Sequence, residues 1–268
     1  MKILILGDVM GLSGRDAIRK NLSNIIKKNE INFSVINGEN AADDGKGITK
    51  EIAEEFFSLG IDVITSGNHI WDKEEATSYI ENENRLLRPA NLAEGSPGNG
   101  YGIYFSKDKK YKIGVVNLMG NVFMRKTEDV FQVAKEIKKK IILKNNVDFS
   151  VVDFHGEITS EKMAIGHFFD GFSTCVVGTH THVPTADTRV LENGTAYQTD
   201  IGMCGDYNSV IGMNKENSLK KFLKDKDALK HFPSEGEASL SGVIVEGNKE
   251  TGLANRVSRI IFGGTLEN

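Results

Sequence analysis

Seven residues able to grip a cation stand just beyond short apolar runs of this chain. Asp8 follows "KILILG" (2–7), Glu39 and Asn40 follow "FSVING" (33–38), and Asn68 follows "DVITSG" (62–67). His155 follows "FSVVDF" (149–154), and His180 and His182 sit in "VVGTHTHVP" (176–184). Taken singly, each is an ordinary cap, turn or packed histidine; recurring behind five similar runs, they point to one shared site. Seven ligands exceed what one tetrahedral ion takes and suit two ions of higher coordination that share a carboxylate. Imidazole and oxygen donors without cysteine favour iron, manganese or zinc over magnesium or calcium, and the residues alone leave those three open. Two divalent ions carry four positive charges; Asp8 and Glu39 cancel two and a bridging hydroxide a third, so the site attracts an anion. Two metals about 3.5–4 Å apart clamp an in-line displacement at phosphorus, with the bridging hydroxide as nucleophile. His69, directly after Asn68, is the group the metals do not need, and it is placed to protonate an alkoxide leaving group. Asp153, Asp187 and Asp200 are available to orient the histidines from behind.

For these residues to meet, the runs must be strands whose carboxyl ends share one edge, where open α/β sheets bind ligands. The runs are continuously apolar, as strands covered on both faces are. Helices are predicted between them. One covers 13–29, capped by Ser13, with Ile18, Leu22, Ile25 and Ile26 on one face. A second runs from Thr49 to Leu59 and is ended by Gly60. A third is capped by Asp72 and reaches about Glu83. Strand–helix–strand order implies parallel pairing with right-handed crossovers. Residues 101–120 read as a hairpin, 121–128 as an irregular flap, 129–143 and 160–169 as helices, and 174–178 as a strand. "TRVLENGTAYQTD" (188–200) is a hairpin about Asn193-Gly194. A charged helix is expected over 217–229 and a last hairpin over 239–263. In extended backbone His180 and His182 would point the same way with Thr181 turned aside. The economical architecture is a single α/β domain, 1–268, of two stacked sheets.

The chain has 268 residues, 39% hydrophobic and 26% charged, with a net charge of −4. Basic and acidic residues are interspersed, so neither a general nucleic-acid surface nor a membrane surface is expected, and "KKYKIG" reads as a solvated hairpin edge. The N-terminal apolar run ends in Gly-Asp with no cleavage site, so no secretory leader is expected. Two cysteines, Cys175 and Cys204, cannot build a disulfide framework and fit a reducing cytoplasm as small buried hydrophobes. His167 and His231 are assigned structural or surface roles.

In order and spacing, "GDVMG", "NGENAADDGKG", "GNHIWD", "RPAN", "DFHGEITSEK", "GTHTHVPTAD" and "TDIGMCG" resemble the YmdB-like branch of the calcineurin-type metallophosphoesterases. The resemblance runs over nearly the whole chain. It implies a four-layered α/β/β/α sandwich, two mixed sheets flanked by helices, around a dinuclear centre. It also implies phosphodiesterase activity on 2′,3′- and 3′,5′-cyclic nucleotides, with iron as the metal and manganese able to support activity. By motif match Asp8, Glu39, Asn40 and His182 would hold one ion and Glu39, Asn68, His155 and His180 the other, Glu39 bridging, with His69 as proton donor. The wider superfamily opens with Asp-x-His; here Met10 stands at the third position, and Asn40 fills the vacancy.

Three functions compete. A phosphodiesterase of cyclic nucleotides suits a site whose single residual positive charge meets a singly charged diester. A phosphomonoesterase or a nuclease would use the same metals, but a nuclease wants a basic, aromatic-lined groove, and the chain has one tryptophan, Trp71, and no basic cluster. A metal-dependent regulator that binds a nucleotide without turnover is the third. A small-molecule substrate, no membrane and no stable nucleic-acid partner are expected; a homo-oligomer is compatible with the sequence.

Overall fold

The computed structural model describes residues 1–267. Thirteen strands and six helices follow one another as β1 (Lys2–Leu6), β2 (Asp8–Val9), α1 (Gly11–Asn29), β3 (Phe33–Asn37), α2 (Lys50–Ser58), β4 (Val63–Thr65), α3 (Glu74–Ile80), β5 (Tyr101–Phe105) and β6 (Lys112–Met119). The chain continues through α4 (Val130–Lys138), β7 (Phe149–His155), α5 (Thr159–Phe169), β8 (Cys175–Thr179), β9 (Arg189–Val190), β10 (Ala196–Gln198), β11 (Met203–Cys204), α6 (Lys215–Phe222), β12 (Leu240–Gly247) and β13 (Ala254–Phe262). One sheet has the order β13-β12-β1-β3-β4 and the other β5-β6-β7-β8-β10-β9. The central strands β1, β3 and β4, and β6, β7, β8 and β10, pair in parallel; the hairpin strands β5, β9, β12 and β13 are antiparallel additions.

The continuous apolar runs are explained by covering on both faces. In β1, Ile3 and Ile5 point between the sheets while Leu4 and Leu6 pack with Ile18, Leu22 and Ile25 of α1. In β7, Phe149 and Val151 face the first sheet, and Val152 and Phe154 pack with Ala134 and Ile137 of α4 and Ile165 and Phe169 of α5. The layers are therefore helix, sheet, sheet, helix, as expected. Each fully buried Leu, Ile, Val or Phe here contributes roughly 1.5–3 kcal/mol, and Phe149→Ala in the layer between the sheets would cost about 3–5 kcal/mol.

Three predicted caps and ends are corrected. Helix α1 begins at Gly11 behind Met10, and the Ser13 hydroxyl instead donates to the Ser234 carbonyl at 3.3 Å. Helix α3 begins at Glu74, because the Asp72 carboxylate is engaged by His69 and leaves the helix without a side-chain cap. Helix α6 is capped by Asn214 and stops at Phe222; Lys224 turns to a positive φ, and the Asn217 amide holds the carbonyls of Leu229 and Lys230. Thr49 does cap α2, accepting from the Ile52 N–H, and Gly60 takes the left-handed φ of +104° behind it. Among the described residues no helix is long and apolar enough to cross a membrane.

Candidate metal centre

The parallel strands of both sheets finish at one edge of the sandwich, and the seven side chains meet there. Asp8 lies two residues beyond β1, at the start of β2, which pairs with β11 through Asp8 and Met203. Glu39 and Asn40 follow β3, Asn68 follows β4, His155 ends β7, and His180 and His182 follow β8. The pairing of His155 with Thr179 across β7 and β8 places the histidines of the second sheet side by side.

The hydrogen bonding of the three histidine rings and of Asn40 runs one way: side-chain donors are tied outward and acceptors face inward. The Thr179 hydroxyl donates to Asp153 Oδ1 at 2.7 Å, so it must accept from His155 Nδ1–H at 3.0 Å. That fixes the tautomer and leaves His155 Nε2 facing Glu39 Oε1 at 2.9 Å, Asn68 Oδ1 at 3.2 Å and His180 Nδ1 at 3.0 Å. The Glu157 carboxylate, at 3.0 Å from His180 Nε2, draws that ring's proton outward. The Ile211 carbonyl accepts from His182 Nδ1 at 2.8 Å, and His182 Nε2 then meets Asn40 Oδ1 at 3.3 Å. The Asn40 amide nitrogen is spent on the Gly45 carbonyl at 2.8 Å. Asp8 Oδ2 accepts the His180 N–H at 3.1 Å, while its buried Oδ1 has no hydrogen-bond partner. Lone pairs crowded on lone pairs in a buried place are unfavourable unless a cation lies among them. One ligand atom each from Glu39, His155 and His180 lies within 4.8 Å of the others. A Cβ on Gly67 would run into Glu39 Oε2 and the His155 ring, so only glycine leaves that space.

The protein's own charges answer to the same crowding. Burial would raise the Glu39 carboxyl, but the charge and hydrogen bond of His155 outweigh it and hold it at about 2. Burial would lower His155, and Glu39 then Asp8 outweigh that and raise it to about 9. A proton thus sits between His155 and Glu39 where a cation would displace it. Burial pushes Asp8 up to about 6 against the opposing pull of His182 and His155. Burial, then the His155 charge, pushes His180 down to about 3, which keeps its ring neutral and able to ligate. Oxygen and imidazole donors with two carboxylates and no thiolate fit divalent iron, manganese or zinc.

His69 stands at the rim. Its amide donates to Glu39 Oε2 at 3.1 Å, and its Nδ1 lies 2.8 Å from Asp72 Oδ2, which leaves Nε2 as the ring atom available to a bound molecule. Of the three supporting aspartates, Asp153 reaches His155 through Thr179. Asp200 holds Thr181, between the two histidines, through its N–H at 3.1 Å and hydroxyl at 2.7 Å, and is itself paired with buried Lys162 at 2.6 Å. Asp187 serves Thr185 and Thr199 instead and touches no histidine. His180 and His182 do not lie in extended backbone as expected: both follow the end of β8 with φ of +97° and +67°. The turn sends one ring to Glu39 and His155 and the other to Asn40. Thr179, Gly67, Glu157 and the Ile211 carbonyl were not singled out from the sequence. The first three lie within two residues of a ligand, whereas Ile211 is brought in by a distant loop.

A family model described as YmdB-like protein matches residues 4–260. The chain belongs to the YmdB-like family. It is 42% identical over 262 residues to the 2′,3′-cyclic-nucleotide 2′-phosphodiesterase of Bacillus subtilis (strain 168), covering 98% of this chain and 97% of that protein. A crystal structure of a novel phosphatase from Mycoplasma pneumoniae superposes with a TM-score of 0.89 at 37% identity, covering 98% of this chain and 93% of the other. A hypothetical protein from Thermus thermophilus also superposes at 0.89, with 34% identity and coverage of 99% and 100%. These two solved structures share this fold over essentially the whole chain, and the curated relatives carry names of phosphodiesterases and phosphatases.

Proposed function

We propose that the protein is a phosphodiesterase that opens 2′,3′- and/or 3′,5′-cyclic nucleotides at a centre of two divalent cations. The observation that carries this reading is the inward ring of acceptors, from Asp8 to His182, with the outer ring nitrogens of His155, His180 and His182 and the Asn40 amide nitrogen tied outward. Asp8, Asn40 and His182 form one half, and Asn68, His155 and His180 the other, with Glu39 between them. We assign iron to the site, with manganese as a working substitute. Such a pair supplies Lewis acidity, making a water acidic near neutral pH and neutralising charge on the phosphoryl oxygens. The remaining steps fall to the chain's own groups. Glu39 and His155 surrender their shared proton when the site loads. Thr179 and Asp153 keep Nε2 of His155 aimed inward, and Lys162 with Asp200 holds the strained turn that carries both later histidines. His69, its Nδ1 fixed by Asp72, gives a proton to the leaving ribose oxygen as the phosphorus–oxygen bond breaks. One ester bond is replaced by a bond to the oxygen of water, and the product is a phosphomonoester. The expected substrate is the cyclic-nucleotide class carried by the named Bacillus relative, in a cytoplasmic setting consistent with two buried free cysteines.

The test pairs metal analysis of anaerobically purified protein with a cyclic-nucleotide screen. His69→Ala should keep about two metals per chain and lose 10²- to 10⁴-fold in kcat. Full turnover in that variant removes His69 from the acid role; a wild type loaded with iron or manganese that opens no phosphodiester overturns the enzymatic reading.

A further inference from the structure

Resting on the cyclic-nucleotide reading above, we propose that Phe123, on the flap between β6 and α4, is the platform on which the substrate's base stacks. The flap starts beside His155 and, midway, touches the aspartate that holds His69. At its start the Gly120 amide donates to the His155 carbonyl at 3.0 Å, and the Asn121 amide is held by Glu161 at 2.9 Å. Midway along it Arg125 lies 3.5 Å from Oδ1 of Asp72, and the other carboxylate oxygen of Asp72 holds His69. Phe123 is three residues from the first anchor and two from the second, so chain length keeps it within about 10 Å of Gly120. Between these anchors it is 85% exposed, the most exposed of the large apolar side chains. Its φ is +60°, a conformation that costs a bulky residue energy and that glycine would take freely. An aromatic ring that is neither packed nor at ease in its backbone contributes nothing visible to folding. A flat exposed ring on a segment that starts beside His155 is within reach of what lies next to a bound phosphate, and for a nucleotide that is the base, bound through stacking that tolerates every base. The Arg125–Asp72 contact is long and joins an exposed guanidinium to a partly exposed carboxylate, so it is weak enough for the flap to move as substrate enters.

The manganese-loaded protein, Phe123→Ala, Phe123→Gly and Phe123→Trp would be assayed on adenosine 2′,3′-cyclic phosphate and on methyl riboside 2′,3′-cyclic phosphate, which has no base. Binding of adenosine 3′-monophosphate would be followed by calorimetry. The alanine and glycine variants should raise KM for the nucleotide and Kd for the monophosphate by roughly five- to a hundredfold. Their kcat and their KM for the baseless diester should be unchanged, and tryptophan should restore nucleotide binding. Phe123→Gly should melt no lower than wild type, because it relieves the strained φ. Unchanged KM and Kd for the nucleotides in the alanine variant overturns the stacking role, as does an equal loss on the baseless diester, which would make Phe123 a prop for the flap. Cyclic-nucleotide turnover that ignores Phe123 sinks the stacking alone. Loss of monophosphate binding in the variants, in a protein that opens only baseless diesters, sinks the cyclic-nucleotide reading and keeps the stacking.

Discussion

Replacing Thr179 by valine removes one hydroxyl and almost no volume, which makes it a sharp probe of how the metal centre is oriented. The hydroxyl links two buried groups, accepting from His155 Nδ1–H at 3.0 Å and donating to Asp153 Oδ1 at 2.7 Å. Asp153 keeps the Asn37 amide at 3.0 Å and the Thr65 hydroxyl, so it is weakened and not stranded. Burial already pushes its carboxyl above the usual range. The His155 donor, by contrast, is left with only Asp8 Oδ1, at 3.6 Å and beyond hydrogen-bond distance. A lost bond to a charged acceptor and an orphaned buried donor together cost about 3 kcal/mol. In a chain of this size that lowers Tm by roughly 6–10 °C. The more specific consequence is on metal. Without Thr179 no hydrogen bond selects the Nδ1–H tautomer, and affinity should fall about 10- to 100-fold. The assay is a metal-buffered titration read alongside a melting curve, with Thr179→Ser as the conservative control that returns the hydroxyl. Wild-type metal affinity in Thr179→Val, or a serine variant as impaired as the valine one, would refute the argument that this hydroxyl sets the ring.

Gly67→Ala should leave the backbone unstrained yet drive its methyl into Glu39 Oε2 and the His155 ring, costing about 1–3 kcal/mol and most of the bound metal; full metal occupancy by elemental analysis would contradict this. Lys162→Met strands a buried carboxylate at Asp200 and should destabilise by about 3–5 kcal/mol while releasing Thr181, the residue between the two histidines; an unshifted urea midpoint would show the pair to be dispensable. In chelator-stripped protein the His155 ring, raised from its ordinary 6.5 to about 9, adds stability that is complete below pH 6.5 and lost as pH climbs to about 9. The urea midpoint should therefore fall across that interval, and this fall should shrink when metal replaces the proton; a flat or rising midpoint in the stripped protein would count against the His155–Glu39 proton.

The sequence by itself determined the main strands, their succession along the chain and the polar residues behind them. Runs such as those around Ile3 to Leu6 and Val151 to Phe154 are apolar at every position, and period-two geometry then demands a cover on each face, which is what the paired sheets and outer helices provide. A strand's end is a local property, so polar residues placed there were legible from spacing and type. Helix starts were less so: Asp72 has the chemistry of a cap, and only the position of His69 decided that its carboxylate went elsewhere. The turn of His180 and His182 into positive φ was hidden because tertiary anchors, Asp200 on Thr181 and the Ile211 carbonyl on His182, hold a conformation that no local propensity favours. The direction in which each ligand's proton points belongs to the same class. It depends on groups such as Thr179 and Glu157 whose roles are set by distances of about 3 Å between separate segments, and such distances exist only once the two sheets have packed.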